Sequence, residues 1–95
     1  MKHYIIVKFT PEVEDKPALI TRVRSLCAAA SEIPGVTGAD VIPCCIDRPN
    51  RFDLMIIVHM DKAALPTWDD SRLHHDWKER FGQYVEKKTI FDAED

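Results

Sequence analysis

Residues 52–60 read FDLMIIVHM, and this clearest strand of the chain decides the fold. Successive side chains of a strand point to opposite faces. One face here carries only large apolar side chains: Phe52, Leu54, Ile56, Val58 and Met60. The other face also carries large apolar side chains, Met55 and Ile57. Neither face is patterned for water, so we expect both to be covered.

Residues 3–9, HYIIVKF, repeat this property near the start of the chain. A chain of 95 residues forms one domain, residues 1–95, and is too short to cover both faces of a sheet. We therefore expect helices on one face and a second copy of the chain on the other, in a symmetric homodimer. One face of this first strand is lined by His3, Ile5, Val7 and Phe9.

The remaining elements complete a β-α-β-β-α-β order. We expect a first helix capped by Asp15, with Pro17 in its first turn, that ends before Pro34. A second strand is predicted at 38–46, where Pro43 indicates an edge position. Asp61 is expected to cap a short helix that Pro66 ends, and a further helix runs from Ser71 to about Tyr84. A last strand is predicted at 87–92. The order predicts an α+β, ferredoxin-like fold with a four-stranded antiparallel sheet.

Composition excludes several classes of partner. The net charge is −3 and the basic residues are scattered, which argues against nucleic acid. No apolar run approaches the roughly 20 residues that span a bilayer, so we expect no membrane association. The opening residues lack the apolar core of a signal peptide, and three cysteines cannot form a closed disulfide framework. These features predict a cytoplasmic protein.

The cysteines and histidines do not form a recognisable metal or cofactor motif. Cys44 and Cys45 are adjacent on a predicted strand, so we expect them on opposite faces as small apolar residues. His74, His75 and Asp76 are consecutive on a helix, where neighbouring side chains diverge and cannot share a metal ion. With no glycine-rich phosphate loop either, we expect neither a metal nor a cofactor.

His3 and His74 are the candidate catalytic residues. Imidazole changes its charge near neutral pH, so two of them facing one pocket indicate proton-transfer chemistry. His3 lies at the start of an apolar strand, and His74 borders the apolar stripe of a late helix. The plainer alternatives are a strand-end histidine bonded to backbone and a histidine on a helix surface.

Several segments together resemble the stress-responsive A/B barrel (Dabb) family. They are the opening KHYIIVKF, the Pro-Gly after the first helix, RFDLMIIVHM, the DKAAL helix start, the helix around His74 and the terminal KKTIFDAED. The resemblance covers nearly the whole chain. It implies a dimeric α+β barrel, which agrees with the two apolar sheet faces.

The resemblance also implies a site. The family often has histidines at the positions of His3 and His74. In its plant polyketide cyclases the helix histidine acts as a base beside a tyrosine six residues earlier, where this chain has Trp68. Those cyclases have a further histidine where this chain has Leu54. A pocket here would therefore be small and apolar, and its expected lining is Ile5, Val7, Phe9, Phe52, Leu54 and Trp68.

Two functions follow from these residues. The first is a dimeric barrel protein that binds a small apolar ligand. The second is a cofactor-free lyase, cyclase or isomerase acting on a small carbonyl compound, in which His74 removes a proton beside the carbonyl and His3 orients its oxygen. The fold alone does not choose between them.

Overall fold

The computed structural model describes residues 1–95 and confirms the ferredoxin-like α+β fold. Four strands form one antiparallel sheet in the order β2-β3-β1-β4. The strands and helices are, in chain order, β1 Lys2–Phe9, α1 Lys16–Cys27, β2 Val36–Pro43, β3 Leu54–Met60, α2 Leu65–Asp70, α3 Arg72–Phe81 and β4 Val85–Ala93. Short 3-10 turns occupy Ala30–Glu32, Lys62–Ala64 and Gly82–Tyr84.

The core lies between one face of the sheet and the helices. In β1 and β3 every second residue is buried, as the alternation predicts. Ile5 is paired with Ile56, and Val7 with Leu54, on this inner face. The helices bury the apolar positions that complete the core, among them Leu19, Val23, Trp68, Trp77 and Phe81.

The outer face of the sheet has no cover within one chain. Ile6 and Ile57 are only half-buried there, and Phe91 on β4 is 60% exposed. The Phe91 ring packs edge-on against Tyr4, with 6.1 Å between ring centroids. The apolar outer face of the sheet is therefore the face that the helices do not cover.

Side chains cap two helices, at the expected Asp15 and at Ser71, whereas the predicted cap Asp61 precedes the Lys62–Ala64 turn without a side-chain hydrogen bond to it. Asp15 Oδ1 accepts a hydrogen bond from the Ala18 N–H at 3.1 Å, and Ser71 Oγ accepts one from the His74 N–H at 3.1 Å. The prediction for Pro66 is wrong, because it lies in the first turn of α2 and does not end a helix. The first turn of a helix has no use for the N–H that proline lacks.

The bounds of β2 and β3 also differ from the prediction. β2 ends at Pro43, so Cys44 and Cys45 lie in the loop that follows it, and both are exposed. The expectation that they alternate across a strand is wrong: the pairing with β3 ends at Pro43 and Leu54, and beyond it the Cys44 N–H makes one further bond, to the Asp53 carbonyl oxygen at 2.9 Å. Phe52 lies just before β3, which begins at Leu54.

Asp53 ties this loop to the sheet and to α1. Its carboxylate accepts hydrogen bonds from the Phe9 backbone N–H at 2.8 Å and from Lys16 Nζ at 2.9 Å. Burial alone would raise the pKa of Asp53, but these two donors outweigh it and hold the pKa below its usual value. The carboxylate therefore fixes where the β2–β3 loop meets the start of α1.

Gly35 forms the tightest turn of the chain, between the Ala30–Glu32 turn and β2. Its φ is +81°, a conformation that favours glycine. A Cβ at this position would lie 2.6 Å from Ala64 Cβ. The Gly35 carbonyl also accepts a hydrogen bond from the Asp61 N–H at 2.8 Å, so the two segments cannot easily separate.

We predict that Gly35→Ala lowers the free energy of unfolding by about 2–4 kcal/mol, because the left-handed backbone and the overlap with Ala64 both oppose a methyl group. Urea unfolding would measure the change. Gly82→Ala is the matched control: a Cβ at Gly82 meets nothing within 4 Å, and its φ is −53°. Equal losses for the two variants would contradict the account of this turn.

Candidate functional site

Three aromatic side chains from different elements form a cluster on the inner face of the sheet. Trp68 of α2 lies between His3 of β1 and His74 of α3. Its ring centroid is 6.3 Å from that of His3 and 5.4 Å from that of His74. The structure therefore brings both predicted histidines to one place, with an indole between them.

His3 is buried and is held by an acidic partner. It is 6% exposed, and its Nδ1 lies 2.5 Å from Asp92 Oδ1. An ionised carboxylate only accepts hydrogen bonds, so Nδ1 of His3 is the donor in this pair. The sequence reasoning missed Asp92. Its signal was the register of β1 and β4, which places Asp92 directly opposite His3.

Trp68 is one of the most deeply buried side chains, at 1% exposed. Its indole Nε1 is buried and has no hydrogen-bond partner, the single such side-chain atom in the chain. A buried donor without an acceptor costs free energy, and most native donors are paired. The cluster therefore contains a buried hydrogen-bond donor that no protein group satisfies.

His74 is a neutral imidazole, and its hydrogen bond shows which of its ring nitrogens carries the hydrogen. Its Nδ1 lies 3.0 Å from the Asp69 carbonyl oxygen, which can only accept, so Nδ1 carries the hydrogen. Nε2 is then left with its lone pair free. Burial lowers the pKa of His74, and the positive charges of Lys78 and Lys88 lower it further, against the opposing effect of Asp69. Such a group is able to accept a proton at neutral pH.

The cluster adjoins a part of the sheet that no helix covers. The residues of β4 that share the inner face are Lys88, Ile90 and Asp92, and all three are exposed. Ile90 is 45% exposed even though its cross-strand partner Ile5 is buried. His74 is half-buried at this border. Because His3 and Trp68 are buried, His74 is the member of the cluster that reaches the surface there.

The residues predicted to line a pocket fall into two groups. Ile5, Val7 and Phe9 are packed beneath the helices in the core, as is Leu54. Phe52 is half-buried and, together with Leu54, lines a shallow groove of about 220 Å³ that also contains Ile6 and Ile42. Their role in holding a ligand stays a prediction.

Two broader features complete the description of the site. No group of three histidine, cysteine or acidic side chains is arranged to hold a metal ion. None of the helices has the length and apolar character needed to cross a bilayer.

Comparison with solved structures shows that this fold is shared. A dimeric protein of unknown function from Bacteroides fragilis has a TM-score of 0.81 at 13% identity, over 99% of this chain and 94% of that one. A dabb family protein with a ferredoxin-like fold from Mesorhizobium loti has a TM-score of 0.72 at 16% identity, over 99% and 94%. A hydroxynitrile lyase from Passiflora edulis has a TM-score of 0.69 at 11% identity, over 95% and 87%.

No protein-family profile matches the chain, and no curated protein matches it. The structural neighbours agree with the resemblance to the stress-responsive A/B barrel family at the level of the fold. At such low identities the likeness carries the fold and no activity.

We predict that His74 titrates below its usual pKa of 6.5. The folded state disfavours the charged imidazole more than the unfolded state does. The stability that neutral His74 contributes is therefore fully present above pH 6.5 and declines as the pH falls below 6.5. Lys78→Gln should raise the pKa of His74, because it removes a positive charge one helical turn away. NMR titration of the ring protons measures both values.

Lys62→Gln is the control for this titration. Lys62 is an exposed lysine paired with Glu94 and does not act on the pKa of His74. A His74 pKa at or above 6.5, or an equal rise in both lysine variants, would rule out the described environment.

Proposed function

We propose that this chain is a member of the stress-responsive A/B barrel family that works as a homodimer and binds a small, largely apolar ligand at the cluster of His3, Trp68 and His74. The ordered sequence segments and the shared fold with a dabb family protein support the membership. The three free cysteines, none of them in a disulfide, support a reducing compartment, so we place the protein in the cytoplasm.

The homodimer is supported by the uncovered outer face of the sheet. Tyr4, Ile6 and Ile57 are half-buried there, and Ile42 and Phe91 are 44% and 60% exposed. A contiguous apolar surface of this kind is typical of an interface. A neighbour with the same fold is described as dimeric, which favours a second copy of this chain as the occupant.

The ligand site rests on one observation, the buried Trp68 N–H without an acceptor. A ligand oxygen beside this N–H would remove the cost of leaving it unpaired. His74, whose ring centroid is 5.4 Å from that of Trp68, offers its Nε2 as an acceptor for a hydroxyl group. We therefore expect a small aliphatic or aromatic compound with a carbonyl or hydroxyl oxygen.

Proton-transfer catalysis is the second candidate, and the state of His74 favours it. Its hydrogen is fixed on Nδ1 by the Asp69 carbonyl, and its lowered pKa keeps Nε2 available as a base. With the ligand oxygen bound to Trp68 Nε1–H, His74 would remove a proton from the carbon next to the carbonyl. A neighbour with this fold is a hydroxynitrile lyase, so the fold can carry an enzyme.

We predict that Phe91→Glu shifts the protein from dimer to monomer at micromolar concentration, because it buries an unpaired charge in the proposed interface. Sedimentation velocity would measure the change. Gln83→Glu adds the same charge at an exposed position just before β4 and should leave the dimer intact. A wild-type monomer, or a Phe91→Glu variant that dimerises as tightly as the wild type, would refute the dimer.

We predict that small ketones and aldehydes, with acetophenone as the first probe, shift the Trp68 indole N–H resonance in proton–nitrogen NMR spectra. A hydrogen bond to the ligand oxygen is the cause of the shift. The ring of Trp77 stacks on Phe81, whereas both histidine rings contact Trp68, so the Trp77 indole resonance is the internal control. Ethylbenzene lacks the oxygen and should bind at least about fivefold more weakly, the loss of about one hydrogen bond.

The same samples in D₂O separate binding from catalysis. A catalyst exchanges the protons next to the acetophenone carbonyl for deuterium, and His74→Gln abolishes this exchange while binding is retained. A binding protein gives the Trp68 shift without exchange. Equal affinity for acetophenone and ethylbenzene, or a panel of ketones and aldehydes that leaves Trp68 unshifted, would refute the ligand site.

A further inference from the structure

A second pocket lies at the opposite end of β1 from His3, where the β2–β3 loop meets the start of α1. Its volume is about 490 Å³. Four cationic and two acidic side chains line it, together with two adjacent thiols: Lys8, Lys16, Arg48, Arg51, Asp47, Asp53, Cys44 and Cys45. No part of the proposed ligand site belongs to this pocket.

The positive charges of this pocket are incompletely neutralised. Asp53 is already occupied by Lys16 and by the Phe9 N–H. Lys8 Nζ donates only to the Arg51 carbonyl oxygen, at 3.2 Å, and the Arg51 guanidinium donates only to the neutral Asn50 side chain, at 2.8 Å. A concave surface with excess positive charge raises the local concentration of anions.

The two thiols of this pocket differ in their hydrogen bonds. Both are exposed because the chain leaves the sheet at Pro43. Cys44 Sγ–H donates to the Ile46 carbonyl oxygen at 3.4 Å, which holds its hydrogen in place. Cys45 makes no side-chain hydrogen bond. Cys27 is buried in the core, and burial raises the pKa of its thiol to about 11.

We propose that this pocket captures small anionic disulfides and that Cys45 is the residue modified. Excess positive charge collects the anion, and an exposed thiol without a hydrogen bond is the reactive group at the same place. An anionic disulfide joins the two features in one molecule, because its charged groups pair with the arginines while its sulfur atoms face Cys45.

The reaction is thiol–disulfide exchange. The Cys45 thiolate attacks one sulfur of the bound disulfide, the sulfur–sulfur bond of the ligand breaks, and a mixed disulfide forms on Cys45. The other half of the ligand leaves as a thiolate and takes a proton from water. Cys45 sulfur is oxidised and the released thiol is the reduced product, so the ligand itself is the oxidant.

The adjacent Cys44 does not readily displace the second half of the ligand. Neighbouring Cα atoms are about 3.8 Å apart, whereas the Cα atoms of unstrained disulfides are usually about 4.4–6.8 Å apart. A Cys44–Cys45 disulfide would therefore be strained. The mixed disulfide is the product that we expect to accumulate.

Oxidised glutathione is the anionic probe, and cystamine, a small cationic disulfide, is the comparison. The rate with the reduced protein is divided by the rate with N-acetylcysteine amide, a neutral thiol, and this ratio removes the intrinsic reactivity of each disulfide. We expect the normalised rate to be at least about fivefold higher for oxidised glutathione. Mass spectrometry of the intact chain and its peptides should find one glutathionyl group, on Cys45.

Variants locate the reaction and its electrostatic cause. Cys45→Ser should abolish the adduct, and Cys27→Ser should leave it unchanged. Arg48→Gln should slow the reaction with oxidised glutathione about threefold, whereas Lys62→Gln, outside the pocket, should not. Equal normalised rates for the two disulfides, a main adduct on Cys44 or Cys27, or an Arg48→Gln variant that reacts as fast as the wild type would overturn the proposal.

Discussion

The antiparallel pairing of β1 and β3 is the constraint on which the rest of the structure depends. Each strand is apolar on both faces, and the register places Ile5 opposite Ile56 and Val7 opposite Leu54 on the inner face. Burying each such side chain contributes about 1.5–3 kcal/mol. A slip of one residue would exchange the inner row for the outer one, which includes Lys8 and His59, and would bury these polar groups instead. The helices can cover only one row, and the other row becomes the proposed dimer interface.

The same register builds the candidate site. His3 continues the inner row of β1 by one step, so the alternation that buries Ile5 also buries an imidazole. β4 pairs with β1 on the opposite side from β3, and this pairing supplies Asp92 as the acidic partner. A buried imidazole needs such a partner, because burying a polar group without one is costly. The site therefore lies where the buried row of β1 reaches the end of that strand, beside the edge strand β4.

Periodicity made most of the fold predictable from the sequence. The alternation in β1 and β3 and the cap at Asp15 are local signals, and the structure confirms them, whereas the cap at Ser71 was not predicted and the one expected from Asp61 makes no hydrogen bond. The failures at Pro66 and at Cys44 and Cys45 also have a local cause. Proline is compatible with both the start and the end of a helix, and a proline on an edge strand does not indicate at which residue the pairing ends.

The site was harder to predict, because its chemistry depends on contacts between distant residues. The sequence named His3, Trp68 and His74 but not their order in space, with the indole between the two imidazoles. That order decides the chemistry of the cluster. An indole N–H donates a hydrogen bond but has no free lone pair with which to accept one, unlike the oxygen of a phenol. Trp68 is therefore suited to hold an oxygen, and any proton that moves in this site must move through an imidazole.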